Sequence, residues 1–189
     1  MFAYCNNSPV VSIDTNGGVP TCCVMVHDGG GVSIPDVTEQ LMNLMREHVR
    51  ELRSYYFRCL EEKKYVSSIM LGDNGSLLSQ ENEVEAYFET MEFFRTKETD
   101  GGDWDIKQTQ EYHFTRSFVF NGEVYSGQQL GNIHYGYVGS SMYTPLILHS
   151  AAGLNQVKKG IHWEYMSTFF DEPDDYDMIT YGINLYGEG

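Results

Sequence analysis

The sequence predicts an α+β fold that is mainly helical and carries one small antiparallel β-hairpin. Two long segments, 36–64 and 79–97, repeat apolar residues at steps of three and four, which is the period of an amphipathic helix. Between 112 and 126, apolar and polar residues instead alternate around Asn121-Gly122, and an Asn-Gly pair in such a pattern is typical of a hairpin turn. The 189 residues suffice for one sizeable hydrophobic core.

The two long helices are expected to form most of that core. The first should begin at Asp36 or Thr38, either of which can cap it, and end near Lys64. Its apolar face consists of Leu41, Leu44, Met45, Val49, Leu52, Tyr56, Cys59 and Leu60. The second should bury a stripe formed by Val84, Tyr87, Phe88, Met91 and Phe93 or Phe94. Its glutamates should mostly face water, although any one of them can be a catalytic acid: Glu81, Glu83, Glu85, Glu89 and Glu92.

Shorter elements follow in the second half of the chain. The alternating segment predicts strands near 114–120 and 123–126, and Pro145 begins a helix that should run to about Lys158. The stretch 161–170 is either a strand or irregular. The run Asp171-Glu172-Pro173-Asp174-Asp175 is typical of a helix start, because acidic groups suit the N-terminal end of a helix. The last helix should bury Ile179, Ile183 and Tyr186.

The charge balance restricts the class of partner. Twelve Lys and Arg residues stand against 27 Asp and Glu, which gives a net charge of −15 and a pI near 4.6. Such a surface opposes non-specific binding to nucleic acid, which depends on Lys and Arg. The 14% aromatic content, with 14 Tyr, favours a neutral glycan instead. An acidic surface also suits a basic partner, or serves solubility alone.

No pattern in the sequence predicts a cofactor, a metal site, a membrane span or a signal peptide. The four cysteines lack the spacing of a zinc site, which favours free thiols: Cys5, Cys22, Cys23 and Cys59. The motifs of phosphate-binding loops, dinucleotide sites, zinc proteases and serine hydrolases do not occur. No apolar run approaches the roughly 18 residues that a membrane span requires, and no apolar segment follows a basic N-terminus.

The stretch from Gly131 to Gly139 has a composition that neither a helix nor a strand favours. It reads Gly-Asn-Ile-His-Tyr-Gly-Tyr-Val-Gly, and it places His134 and Tyr135 among three glycines. Glycine allows a ligand or another segment to approach the backbone closely. We therefore expect a loop that forms one wall of an active site, with a tight turn packed by aromatic side chains as the alternative.

A second unusual stretch, 99–107, places Trp104 between two carboxylates after a pair of glycines. In an extended segment Asp103, Asp105 and Lys107 would share one side, with Trp104 on the other. A lysine beside Asp105 would favour the ionised carboxylate, as suits a nucleophile, a base or an electrostatic stabiliser. The alternative is a salt-bridged turn anchored by a buried tryptophan.

The first residues, Phe2-Ala3-Tyr4-Cys5-Asn6-Asn7-Ser8-Pro9-Val10, resemble the phrase that ends the core of Rhs or YD-repeat proteins. The sequence departs from that pattern at Thr15, where a proline usually follows the aspartate. The resemblance implies that the chain ends a larger protein whose shell encloses a variable C-terminal toxin. Gly29-Gly30-Gly31 would then be a flexible joint, which divides the chain into the end of the Rhs core with its linker at 1–31 and a toxin domain at 32–189.

Residues 100–186 resemble the bacterial toxin 44 domain of polymorphic toxin systems. The resemblance rests on the phrases at 101–107 and 131–139, on Ala152-Gly153 with Gln156, and on 171–174 with Ile179, Gly182 and Tyr186. It implies an antibacterial effector that is delivered into a target bacterium by a secretion system and neutralised by a cognate immunity protein.

Three functions fit these residues. In a peptidoglycan hydrolase, one carboxylic acid protonates the leaving oxygen while Asp105 is base or nucleophile, the acid coming from Asp103, Asp174 or a helix. In a metal-independent RNase, His134 transfers protons and Lys107 stabilises the phosphorane charge. In a non-catalytic binding module, the aromatic residues form a groove. The candidate catalytic residues are Asp105, His134, Lys107, Asp103 and Tyr135, and the candidate substrate-binding residues are Trp104, Asn132, Tyr137, Gln156 and Asp174.

Overall fold

The computed structural model describes residues 34–71, 79–159, 168 and 172–188, and also the backbone of 3–5 and 8–10; for 71 and 155–159 it describes the backbone alone. The elements in chain order are β1 (Ala3–Cys5), β2 (Ser8–Val10), α1 (Thr38–Leu71), α2 (Ser79–Glu98), a 3-10 turn (Ile106–Gln108), β3 (Ser117–Phe120), β4 (Glu123–Ser126), α3 (Gly127–Gly139), α4 (Pro145–Lys159) and α5 (Pro173–Gly187). The predicted class, mainly helical α+β with a small antiparallel hairpin, is confirmed. The predicted joint at 29–31 and most of the stretch 161–170 lie outside the described residues.

The hairpin of β3 and β4 forms as its turn residues predict. The strands pair antiparallel from Ser117 with Ser126 to Phe120 with Glu123. Asn121 and Gly122 both have positive φ, 51° and 82°, the conformation that a tight hairpin turn requires. The segment before α1 joins this hairpin, because the Val37 N–H donates to the Val119 carbonyl at 2.9 Å. The start of α1 is thereby fixed against the sheet.

Helix α1 is seven residues longer than predicted and pairs antiparallel with α2. Its N-terminus is capped by Asp36, whose Oδ1 accepts from the Thr38 N–H at 2.9 Å. Toward its other end, Ser67 donates to the Asn82 side chain on α2 at 3.1 Å. None of the helices within the described part of the chain is long and apolar enough to cross a membrane.

The predicted buried stripe of α2 is partly wrong. Val84 and Phe88 are exposed, and the face against α1 carries residues at steps of four instead: Asn82, Ala86, Thr90 and Phe94. The reason is that α1 covers one side of α2 along its length, and small residues at 86 and 90 allow that approach. Other residues of α2, namely Tyr87, Met91 and Phe93, are partly buried and pack against the core.

The predicted loop at 131–139 is wrong, because this stretch belongs to helix α3. Ser126 starts the helix with a capping box: its hydroxyl accepts from the Gln129 N–H, and the Gln129 side chain accepts from the Ser126 N–H. Two glycines, Gly136 of α3 and Gly182 of α5, allow the two helices to pack closely. A Cβ on Gly136 would lie 2.2 Å from the Ile179 carbonyl of α5, and one on Gly182 of α5 would lie 2.1 Å from the carbonyl of Ile133. The backbones of α3 and α5 thus touch, and this packing offsets the low helix propensity of glycine.

Candidate active site

The last residue of α2, Glu98, is an acid at a buried position. Only 9% of its side chain is exposed, and burial raises its pKa, against an opposing effect of the His134 ring. Its Oε1 lies 3.2 Å from Nδ1 of His134, at an alignment that falls short of a hydrogen bond. Neither atom hydrogen-bonds to any other group in the described part of the chain. The two atoms are therefore close enough to share one proton.

A second histidine, His48 of α1, completes a buried row. Its Nδ1 lies 2.7 Å from Nε2 of His134, and its ring stacks on Trp104 at 4.6 Å with an angle of 13° between the planes. Burial, His134 and Lys97 together lower the pKa of His48 to about 3. The row Trp104–His48–His134–Glu98 therefore joins α1 and α3 to the end of α2.

Beside this row, Lys107 lies among carboxylates. Its Nζ is 3.9 Å from Oδ1 of Asp100 and 4.0 Å from Oδ1 of Asp105. The Asp105 side chain is only 2% exposed, and its Oδ2 accepts from the Gly101 N–H at 2.9 Å, which closes the turn after α2. Asp100, by contrast, has a side chain that is 69% exposed. Lys107 thus joins one inner and one outer carboxylate.

The start of α5 contributes two more carboxylates to the same side of α3. Asn132 donates to Oδ1 of Asp175 at 2.6 Å, and Gln128 donates to the same oxygen at 3.3 Å. Burial raises the pKa of Asp175, against the hydrogen bond from Gln128. Gln129 donates to Asp174 at 3.3 Å. Lys107 also favours the ionised forms of Glu98 and Asp175, while its ion pairs are with Asp100 and Asp105.

The structure brings together four of the residues selected from the sequence: Asp105, Lys107, Asn132 and His134. It places others elsewhere. Asp103 pairs with Lys97 at 2.7 Å and has a side chain that is 78% exposed. The 99–107 stretch is a turn that leads into the 3-10 turn rather than an extended segment, so the salt-bridged turn anchored by a buried tryptophan describes it better.

The aromatic residues among the candidates belong to the packing. Trp104 is 2% exposed, and Tyr137 is buried against Tyr186 of α5 at 5.3 Å between ring centroids. Tyr135 stacks on Phe94, and its hydroxyl donates to the Leu148 carbonyl at 3.2 Å. Asp174 is exposed at the start of α5, and the side chain of Gln156 lies outside the described residues.

Sequence reasoning missed Glu98 and His48, although the sequence holds a signal for both. Glu98 continues the buried face of α2 by the same step of four from Phe94. His48 lies between Met45 and Leu52 on the buried face of α1. An ionisable residue at a core position is the informative exception to the helical pattern. Finding Glu98 required the correct face of α2, which its own periodicity did not identify.

Comparison with known proteins places the chain in a family. No curated protein and no solved structure matches it. A family model described as bacterial toxin 44 matches residues 93–188, which include the end of α2, the turn with Lys107, and helices α3 to α5, but not α1. This match covers half of the chain and agrees with the resemblance seen at 100–186. The chain therefore belongs to the bacterial toxin 44 family.

Proposed function

We propose that this toxin domain hydrolyses a cell-wall glycan, peptidoglycan, with Glu98 as the acid that protonates the leaving oxygen. The proposal rests on the different surroundings of two carboxyl groups at the end of α2. Glu98 is enclosed and has a raised pKa, while Asp100, two residues on, is open to solvent beside an ammonium group. Glycosidases use two carboxyl groups in this way, one kept protonated by its surroundings and one ionised.

The reaction assigns each proton and electron pair to a named group. The carboxyl group of Glu98 gives its proton to the glycosidic oxygen as the C–O bond breaks, and the electron pair of that bond goes to the oxygen. Water attacks the anomeric carbon and gives its proton to Asp100. Asp105 is too enclosed to meet a sugar, so we assign it the task of holding Lys107 and the turn.

The charge around the site supports a glycan over RNA. Lys107 pairs with two carboxylates, Asp100 and Asp105, which more than balance its charge, and this arrangement opposes the binding of a phosphodiester. The RNase alternative requires His134 to meet the ribose, but His134 has no exposed surface. Lys107 instead suits the polar hydroxyl groups of a sugar and holds the carboxylates in place.

The parent protein and its partners belong to the same proposal. A bacterial toxin domain implies delivery into a target cell and a cognate immunity protein in the producer. The phrase at residues 2–10 supports an Rhs-type shell that precedes the domain. The partners are therefore the immunity protein, that shell and the peptidoglycan of the target.

The test compares two glutamates of the same helix. Glu98→Gln should lower the release of soluble fragments from purified cell-wall sacculi about 1000-fold, since it removes the acid and keeps the volume. Glu85→Gln is the matched control, because its side chain is 65% exposed and pairs with Lys63 away from the site. It should leave the rate within about twofold.

Expression in bacteria extends this test to the cell. The wild-type chain should lyse a bacterial host only when it is exported to the periplasm, and the Glu98→Gln variant should not. Killing from the cytoplasm with degraded RNA would contradict the glycan assignment in favour of an RNase. A folded wild-type chain that is not toxic to the host from either compartment would indicate a binding module.

A further inference from the structure

We propose that His48 is a positioning residue of the active site, and that it holds the ring of His134 so that Nδ1 of His134 faces Glu98. The proposal rests on the function proposed for Glu98. It adds a residue from α1, which lies outside the region that the family model matches.

The geometry allows few placements of the protons. Nδ1 of His48 and Nε2 of His134 are 2.7 Å apart, so one of them carries the proton that joins them. The low pKa of His48 keeps that ring neutral. When Nδ1 of His48 accepts, Nε2 of His134 must donate, and Nδ1 of His134 is then left to share a proton with Oε1 of Glu98. A hydrogen bond on one ring nitrogen thus sets the state of the other.

The charged groups that act on the row come from α2 and from the turn that follows it. Lys97 of α2 acts on His48, while Lys107 and Asp105 act on Glu98 from the turn after α2. Lys107 favours the ionised form of Glu98 and Asp105 opposes it. Since these neighbours partly cancel, the contact with His134 becomes the specific control on where the proton of Glu98 lies.

Core packing alone would account for the stacked ring of His48 but not for its hydrogen bond. A phenylalanine would keep the stack on Trp104 and the volume between Met45 and Leu52. It would lose the bond to Nε2 of His134. Two conservative variants separate the ring nitrogens, because an asparagine amide reaches the place of Nδ1 and a glutamine amide reaches the place of Nε2.

The first measurement needs no activity. In the full 189-residue chain labelled with ¹⁵N-histidine, the ring shifts of His134 should show a single tautomer in the wild type and a mixture of ring states in His48→Phe. Restoration in His48→Asn, but not in His48→Gln, is the expected pattern. A His134 ring that is unchanged in His48→Phe would overturn the proposal, whatever the activity.

The second measurement follows hydrolysis of sacculi. His48→Phe should lower kcat about 10- to 100-fold with little change in KM and should shift the alkaline limb of the pH profile, where Glu98 loses its proton, and His48→Asn should recover most of the loss. Equal losses in the three variants, in proportion to their stability, would show a packing role only and overturn the proposal. If the His134 ring responds to His48→Phe but the wild-type chain cuts no glycan, the proposed function is contradicted and the contact between the two histidines is not.

Discussion

The two ends of the α1–α2 pair carry similar residues, which are buried at one end and exposed at the other. Near the site, α1 buries Leu41, Met45 and Leu52 completely. At the far end the same helix exposes Ile69 and Met70, with 66% and 77% of their surface open. Both ends carry apolar side chains at helical spacing, so the difference lies in what surrounds them. Near the site the hairpin and α3 cover α1, whereas at the far end α1 packs on α2.

Polar groups at the two ends differ in the same way. At the far end Lys63 pairs with Glu85 and Glu89, whose side chains are more than half exposed, and such pairs contribute little to stability. Near the site Glu98 and His134 are enclosed, and burial makes each contact, or its loss, costly. One helical hairpin can therefore hold a buried polar cluster at one end, because the rest of the fold encloses that end alone.

The largest effect is expected from a substitution that separates α3 from α5. Gly136→Ala should destabilise the chain by at least about 3 kcal/mol, because the added Cβ would meet the Ile179 carbonyl and force α3 away from α5. Gly187→Ala is the matched control at the end of α5, where nothing lies within 4 Å of such a Cβ. Denaturant unfolding followed by circular dichroism measures both, and similar losses would refute the close contact of α3 with α5.

The next largest effect is expected when buried and exposed residues at the two ends of α1 are each replaced by alanine. Leu52→Ala should cost about 3 kcal/mol of unfolding free energy, because it leaves a cavity in a fully buried position. Ile69→Ala should change it by less than about 0.5 kcal/mol, since that side chain is already mostly in water. A large cost at Ile69 would show that the far end of the pair is covered in solution.

The last effect, the smallest for a change of one pH unit, concerns acid. The folded state lowers the pKa of His48 from 6.5 to about 3, so its contribution to stability is complete above pH 6.5 and is lost as the pH falls toward 3. The loss should approach ~1.4 kcal/mol per pH unit for this single group. Glu98 acts in the opposite direction, because a raised pKa contributes stability that is lost as the pH rises.

The difference between the wild type and His48→Phe reports the histidine together with its influence on Glu98 through His134. Unfolding free energies at several pH values between 4 and 6.5 should converge for the two chains as the pH falls. Parallel curves would show that His48 is already open to protons in the folded state. Glu89→Gln, at the exposed end, should leave the slope of the wild type nearly unchanged.

The sequence predicted most elements and only part of the site, for physical reasons that particular residues show. Asn121-Gly122 and the apolar period of α1 are local signals, so the hairpin and that helix were found. The glycines of α3 follow from contact with α5, which no local pattern reveals. Glu98 was missed because two faces of α2 are apolar enough to be buried, and the choice between them depends on α1.

Ser126 is both the last residue of β4 and the cap of α3, so the strand passes into the helix with no spacer. One extra residue at this junction would turn the whole helix by about 100° about its axis. His134 and Asn132 would then point away from their partners, although every side chain remained the same. Insertions and chimeric joins that keep this toxin active should therefore avoid the Ser126–Gly127 bond, since the strand sets the rotational phase of the helix.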